Sequence, residues 1–229
     1  MAQKWGILMG FILWAQGGVR IGEWGVYSCH LTVKAVGYTS GYVWGLSDEG
    51  VFVVEEEEIR YRELSRVNGL YANRPTALYT TPQGIVFLGY ADGMLQYGRT
   101  PEDLRTWGGI AANQFYSARQ IRDFASWGDS LAIATDFGIV VWHIRRGEVL
   151  ATVSQLPGRP FASPVYKVLW SPEGLWAMTE KGVFLLTQAS SWQGGWQKVS
   201  GSSIGLPDTL WPAWAYTPQG TLAGWNDTL

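Results

Sequence analysis

The chain has 229 residues, with 17 Lys+Arg against 19 Asp+Glu, 14 tryptophans, two histidines and one cysteine. Charged residues make up 16% and hydrophobic ones 47%, against ~25% charged in ordinary soluble domains, which excludes a disordered chain and a basic nucleic-acid module. One cysteine and two distant histidines exclude an internal disulfide framework, a thiolate metal cluster and a paired-histidine zinc motif.

Lys4 precedes the apolar run Trp5–Trp14, and Ala15-Gln16-Gly17 places small residues three and one positions before a cleavage point. A charged start, a short apolar run and a small-x-small exit predict a secretory signal peptide over residues 1–17. The run is about half the ~20 residues a membrane-spanning helix needs, and no later segment predicts a transmembrane span. Cys29 lies beyond it, after Arg20 and Glu23, and reads as a lone core cysteine rather than a lipid anchor. Residues 18–229 form the predicted mature domain.

Four segments then repeat one pattern: Tyr42–Val54, Ile85–Tyr97, Leu131–Trp142 and Leu175–Leu186. Each is an apolar strand, an acidic turn, a glycine and a second apolar strand. The turn glycines Gly50, Gly93, Gly138 and Gly182 are separated by 43, 45 and 44 residues. Ahead of each hairpin lies a further β-like segment: Val33–Val36, Thr76–Tyr79, Ile121–Phe124 and Val165–Trp170. Behind it the chain is more polar but still strand-like in Ile59–Leu64, Glu148–Val153 and Trp196–Val199. Short strands joined by Gly, Pro and Asp turns predict antiparallel meanders. Four strands per ~44 residues is the size of a β-propeller blade, so the predicted fold is an all-β propeller with four-stranded antiparallel blades.

A fifth repeat begins in Gly205–Gly220, whose glycine spacing of 15 matches that of Gly69 and Gly84. Its hairpin is expected to be cut short at Leu229, giving about five blades of an unfinished ring, with further domains expected to follow. Trp44, Trp142, Trp170, Trp176, Trp214 and Trp225 fall in repeat strands, where large aromatic side chains suit the wedge between twisted sheets. Trp192 and Trp211 fall in loops and are the candidates for a sugar-stacking platform.

Candidate chemistry is sparse. Glu55–Glu58 has the carboxylates for Ca²⁺, but successive residues of an extended chain point to opposite faces, so a solvated turn is the preferred reading. Asp48, Asp92, Asp136, Glu180 and Asp227 recur at the hairpin turns and read as turn-forming acids, with a ring of carboxylates as the competing reading. His30 and His143 have no Ser or Cys partner in a recognisable nucleophile elbow. Arg119, Arg122, Arg145 and Arg146 are a candidate basic patch for an anionic glycan. No catalytic, cofactor or metal residues are assigned, and ligand-binding residues stay open.

Three stretches together carry a family resemblance: Ile21–Tyr27, Leu64–Leu70 and Ala134–Val141. In order and spacing they resemble the N-terminal propeller of the PorZ family, components of the type IX secretion system of Bacteroidota. The Asn68-Gly69-Leu70 and Pro82-Gln83-Gly84 units are also similar to the propeller repeats of two-component regulators. The resemblance implies a seven-bladed ring, followed by a second propeller and a small β-sandwich. It also implies a non-catalytic subunit at the outer-membrane cell surface beside PorU, PorV and PorQ, helping the PorU sortase attach anionic lipopolysaccharide to cargo. The alternative is the periplasmic ligand-sensing propeller of a hybrid two-component regulator.

Overall fold

The computed structural model describes residues 30, 32–155, 163–187, 192 and 194–199, together with the backbone of 213–216 and 222–225. The leader at 1–17, Ile21–Tyr27, Cys29, Trp211 and Asp227 lie outside the described residues. All regular structure among the described residues is β.

Sheet one comprises β1 (Val33–Thr39), β2 (Tyr42–Ser47), β3 (Val51–Glu55) and β4 (Arg60–Leu64). Sheet two comprises β5 (Ala77–Thr80), β6 (Val86–Gly89), β7 (Leu95–Gly98) and β8 (Arg105–Trp107). Sheet three comprises β9 (Ile121–Trp127), β10 (Ser130–Thr135), β11 (Gly138–His143) and β12 (Glu148–Val153). Sheet four comprises β13 (Val165–Ser171), β14 (Gly174–Thr179), β15 (Gly182–Thr187) and β16 (Trp196–Val199). The hairpin of β17 (Ala213–Tyr216) and β18 (Leu222–Trp225) follows. Each four-stranded sheet is an antiparallel meander in sequence order. Between sheets, the first strands are neighbours: β1 borders β5, β5 borders β9, β9 borders β13 and β13 borders β17. Meanders whose first strands line up side by side radiate from a common axis. The fold is a β-propeller, as the repeat predicts. The strand the repeat did not reveal is β8, whose Arg105-Thr106-Trp107 is too short and polar to show alternation.

Three apolar seams hold the sheets together. Trp44, Leu46, Val51 and Val53 of sheet one meet Leu78, Val86 and Leu88 of sheet two. Phe87 and Leu95 of sheet two meet Phe124, Leu131, Ile133 and Trp142 of sheet three. Ile139 and Val141 of sheet three meet Val168, Leu175 and Phe184 of sheet four. Each sheet therefore has two apolar faces. For that reason the middle strands read as unbroken hydrophobic runs, such as Gly174–Thr179, buried throughout, while the outer β12 is largely exposed. Trp44 and Trp142 are both 0% exposed. Around Trp142, Phe87, Tyr97 and Trp107 pack with ring centroids 5.9, 5.1 and 5.9 Å away. Burying each large apolar side chain stabilises by roughly 1.5–3 kcal/mol before entropy is charged against it.

One face lacks such cover among the described residues. On sheet one the face turned away from sheet two carries Val36 (66% exposed), Tyr38 and Tyr61 (both 54%). The corresponding face of sheet two, through Val86 and Leu88, is sealed by sheet one.

Close approach governs two glycines. A Cβ on Gly89 would stand 2.4 Å from Ile121 Cγ2 of the next sheet, and one on Gly138 would stand 2.0 Å from the Val153 carbonyl oxygen. Gly138 also has φ +133°, a region nearly closed to other residues. Gly138→Ala is expected to cost at least ~1–3 kcal/mol in urea unfolding. Gly128→Ala, at φ +56° with nothing near its Cβ, should cost only about 1 kcal/mol.

Candidate functional site

Each first strand pairs on one side only, so its inner edge would present bare backbone N–H groups. Side chains of adjoining sheets fill that need. Tyr38 N donates to Thr80 Oγ1 at 3.3 Å, Ser126 N to the Tyr79 hydroxyl at 3.2 Å, and Val168 N to Asp123 Oδ2 at 3.1 Å. Tyr79, Asp123, Ser126 and Val168 line a cavity of about 340 Å³ walled by the first strands of all four sheets. Its polar wall is Lys34, Tyr79, Asp123, Ser126 and Lys167, with Trp170 as its aromatic side.

The strands are not regular where they enter this cavity. Register slips at Lys34 in β1, at Arg122 in β9 and at Tyr166 in β13, one residue in each case being left unpaired. Such bulges re-aim a side chain. The Arg122 guanidinium lies over the Tyr166 ring, 4.9 Å from its centroid. Two of the bulged residues are cations tied to turn acids: Lys34 pairs with Asp48, and Arg122 holds Asp136 at 2.6 and 2.7 Å. Asp92 instead receives Met94 N at 3.0 Å and the Tyr71 hydroxyl at 2.7 Å. The recurring turn acids thus divide. Asp92 follows local turn chemistry, while Asp48 and Asp136 anchor cations at the bulges.

Asp123 is the most strongly perturbed carboxyl at the site. Burial pushes its pKa up, although Lys167 at 3.5 Å and the N–H groups of Val168 and Phe124 pull in the other direction. An acid raised in the folded state stabilises fully below the ordinary aspartate value of ~3.9, and that contribution is lost as pH rises through the raised value.

The other sequence candidates do not converge. Glu55 ends β3 and 56–59 form a turn, where Glu56 accepts from the Tyr38 hydroxyl at 2.8 Å and Glu58 pairs with Arg60 at 2.6 Å. Arg119 and Arg122 lie at one end of sheet three and Arg145 and Arg146 at the other, because the first two stand at the start of β9, beside Thr135 of β10, whereas the second two follow the end of β11, beside Ser130. Arg145 pairs with Asp129 and Arg146 with Glu148, so the four arginines are not one patch. Trp192 packs edge-on against Trp170, with centroids 5.9 Å apart, instead of offering an open platform. His143 Nδ1 accepts from Arg146 N at 3.4 Å.

His30 does have a serine partner, which the sequence did not reveal because 17 residues separate them. Its Nδ1 contacts Ser47 Oγ and its Nε2 lies 2.8 Å from Glu63 Oε1, an order of residue types that nucleophilic hydrolases use. The repeat explains Ser47 differently. Its hydroxyl receives Glu49 N and Gly50 N and reaches the Gly50 carbonyl. Thr135 does the same for Phe137 N and Gly138 O, and Thr179 for Lys181 N and Gly182 O. Ser47 is the turn-closing hydroxyl of its blade.

Asp123→Ala is expected to destabilise by about 1–3 kcal/mol, since it strands Val168 N–H and Lys167. Asp123→Asn keeps an acceptor for Val168 N and should cost less. It should also flatten the fall in stability above about pH 4, read from denaturant midpoints across pH.

The comparisons agree with this geometry. A solved structure of PorZ, described as a surface component of the type IX secretion system of Porphyromonas gingivalis, aligns with a TM-score of 0.63 at 16% identity, over 80% of this chain and 24% of that one. The extracellular domain of a putative one component system, BT4673 of B. thetaiotaomicron, aligns with a TM-score of 0.65 at 14% identity, over 87% and 27%. A computationally designed protein, Ika8, aligns with a TM-score of 0.58 at 17% identity, over 84% and 57%. The chain spans about a quarter of the length of the two natural structures. A search of curated proteins gives no match. The family model of the type IX secretion system PorZ N-terminal β-propeller domain matches residues 43–192, from β2 of sheet one to the connection between β15 and β16 of sheet four. The chain belongs to the PorZ N-terminal β-propeller family.

Proposed function

We propose that this propeller is part of a non-catalytic binding subunit of a type IX secretion machine, exported by the leader at residues 1–17 and held at the outer-membrane cell surface. The family match over residues 43–192 carries this reading. By the same resemblance, its partners are PorU, PorV and PorQ, and its role is to assist the attachment of anionic lipopolysaccharide to cargo by the PorU sortase. Action by binding rather than catalysis is supported by Ser47, whose hydroxyl is committed to its turn as Thr135 and Thr179 are to theirs. By the same resemblance the ring has seven blades; that a further sheet packs against sheet one is supported by the apolar face bearing Val36, Tyr38 and Tyr61, which needs a neighbour of the kind sheets two and three have.

A second reading, the ligand-sensing propeller of a two-component regulator, draws on the similarity to the BT4673 extracellular domain. One experiment separates the two. In a cell expressing the full-length protein with an affinity tag, the first reading expects fractionation with the outer membrane and co-purification of the sortase. Inner-membrane fractionation without the sortase would reject it in favour of the sensor.

A further inference from the structure

At the rim, the last strand of each sheet has an edge whose backbone groups invite pairing. Three of the four full sheets guard that edge. β4 carries Arg60, Arg62 and Glu63, β8 is only three residues long and starts with Arg105, and β16 carries Lys198. β12 differs. It is six residues long, has no charge after Glu148, and leaves Val149 44% and Leu150 41% exposed. Glu148 itself is held by Arg146 at 3.2 Å. The register slips between Val141 and Trp142, so Leu150 has no partner on β11. A bulge is another ordinary guard of an edge, but the residue this one releases is apolar and stands beside Val149. Among the described residues no strand lies beyond β12. The hairpin of sheet three turns with Thr135 opposite Gly138, and in sheet one the corresponding Ser47 N donates to the Gly50 carbonyl at 2.8 Å. Hydrogen-bonded and non-hydrogen-bonded pairs alternate from such a turn, so Val140 bonds toward β10 while Ile139 and Val141 bond toward β12. Thr152, which stands opposite Val140, therefore aims its N–H and C=O away from β11 at the open edge.

We propose that the edge of β12 is a docking site for an extended segment of a partner protein, which joins sheet three as a fifth strand. The backbone of another strand is what matches a row of strand N–H and C=O groups, and main-chain pairing supplies the affinity in this mode of recognition. The side chains beside that row, Val149, Leu150 and Thr152, are uncharged, so the segment is uncharged where it meets them. The size of the edge selects a segment over a second copy of this chain. Six residues of strand make a strip about 20 Å long and about 10 Å thick, roughly a quarter of the ~800 Å² per partner that a stable interface buries. A rigid copy meeting that strip edge to edge gains too little to stay. A flexible segment follows the strip and also bends over Val149 and Leu150. This site is independent of the secretion assignment.

The test uses the full-length protein and a fluorescein-labelled octapeptide of alternating valine and threonine with a lysine at each end. The control is the same peptide with its valine and threonine amides N-methylated, which keeps the side chains and removes the backbone donors. Fluorescence anisotropy is expected to rise and saturate with the plain peptide and to stay flat with the methylated one. Amide exchange in residues 148–153 should slow on adding the plain peptide, while that in residues 60–64 of β4 is unchanged. Thr152→Pro deletes an outward N–H and should weaken binding about fivefold, the worth of one net hydrogen bond. Leu150→Lys sets a guarding charge on the edge, at an exposed residue that β11 does not pair, and should weaken binding about threefold or more. Absent or non-saturating binding, equal binding of the methylated peptide, equal slowing in β4, or unchanged affinity in Leu150→Lys overturns the site. A dimer seen by light scattering without peptide, and split by Leu150→Lys, gives the edge to a second copy and overturns the partner-segment reading.

Discussion

A four-stranded meander with apolar side chains on both faces cannot be stable in water by itself, and this one requirement organises the whole chain. Each sheet must be covered twice. Covering it with the preceding and following copies of itself resolves the problem by arranging the sheets around an axis. The three seams are accordingly continuous, and Trp44 and Trp142, both fully buried, sit within them. The exposed outer strands follow from the same constraint. At the rim the sheets diverge and β4 and β16 have water for a neighbour, so their sequences turn polar.

At the axis the opposite problem arises. There the first strands crowd together, and each still has one unpaired backbone edge. Thr80, Tyr79 and Asp123 meet that demand across sheet boundaries, and Gly37 and Gly89 supply the clearance, their missing Cβ positions being filled by Thr80 and Ile121. Asp123 shows what this costs. It is placed for a backbone contact in a buried position, and its carboxyl is pushed up despite a neighbouring lysine. A residue serving the architecture thereby also sets the charge balance of the cavity it borders.

The bulges connect architecture to chemistry. A strand in perfect register would send Lys34, Arg122 and Tyr166 to the faces that alternation dictates. Leaving each unpaired frees it from that alternation, so Arg122 reaches Asp136 and Tyr166 while Lys34 borders the cavity. Two of the acids that recur at the turns, Asp48 and Asp136, gain a second role as anchors for these cations. The Ser47–His30–Glu63 contact shows the converse: three residue types in a suggestive order, whose serine the repeat reduces to closing a turn.

The sequence by itself determined the propeller, because a repeat of 43 to 45 residues with glycine-marked turns can be read without coordinates. It determined the burial of Trp44, Trp142 and Trp176 for the same reason, since a strand apolar on both faces has to be covered twice. It did not reveal β8, whose three residues are too few to show a period, nor the register slips, which depend on how two strands pair. The tertiary structure alone decided that the arginines at 119, 122, 145 and 146 stand at opposite ends of one sheet and that Lys34, Asp123, Lys167 and Trp170 share a cavity. Residues up to 136 positions apart meet there only because successive sheets bring their first strands to one axis. Linear spacing encodes the repeat, whereas the distance between corresponding positions of different repeats is set by the angle at which the sheets pack.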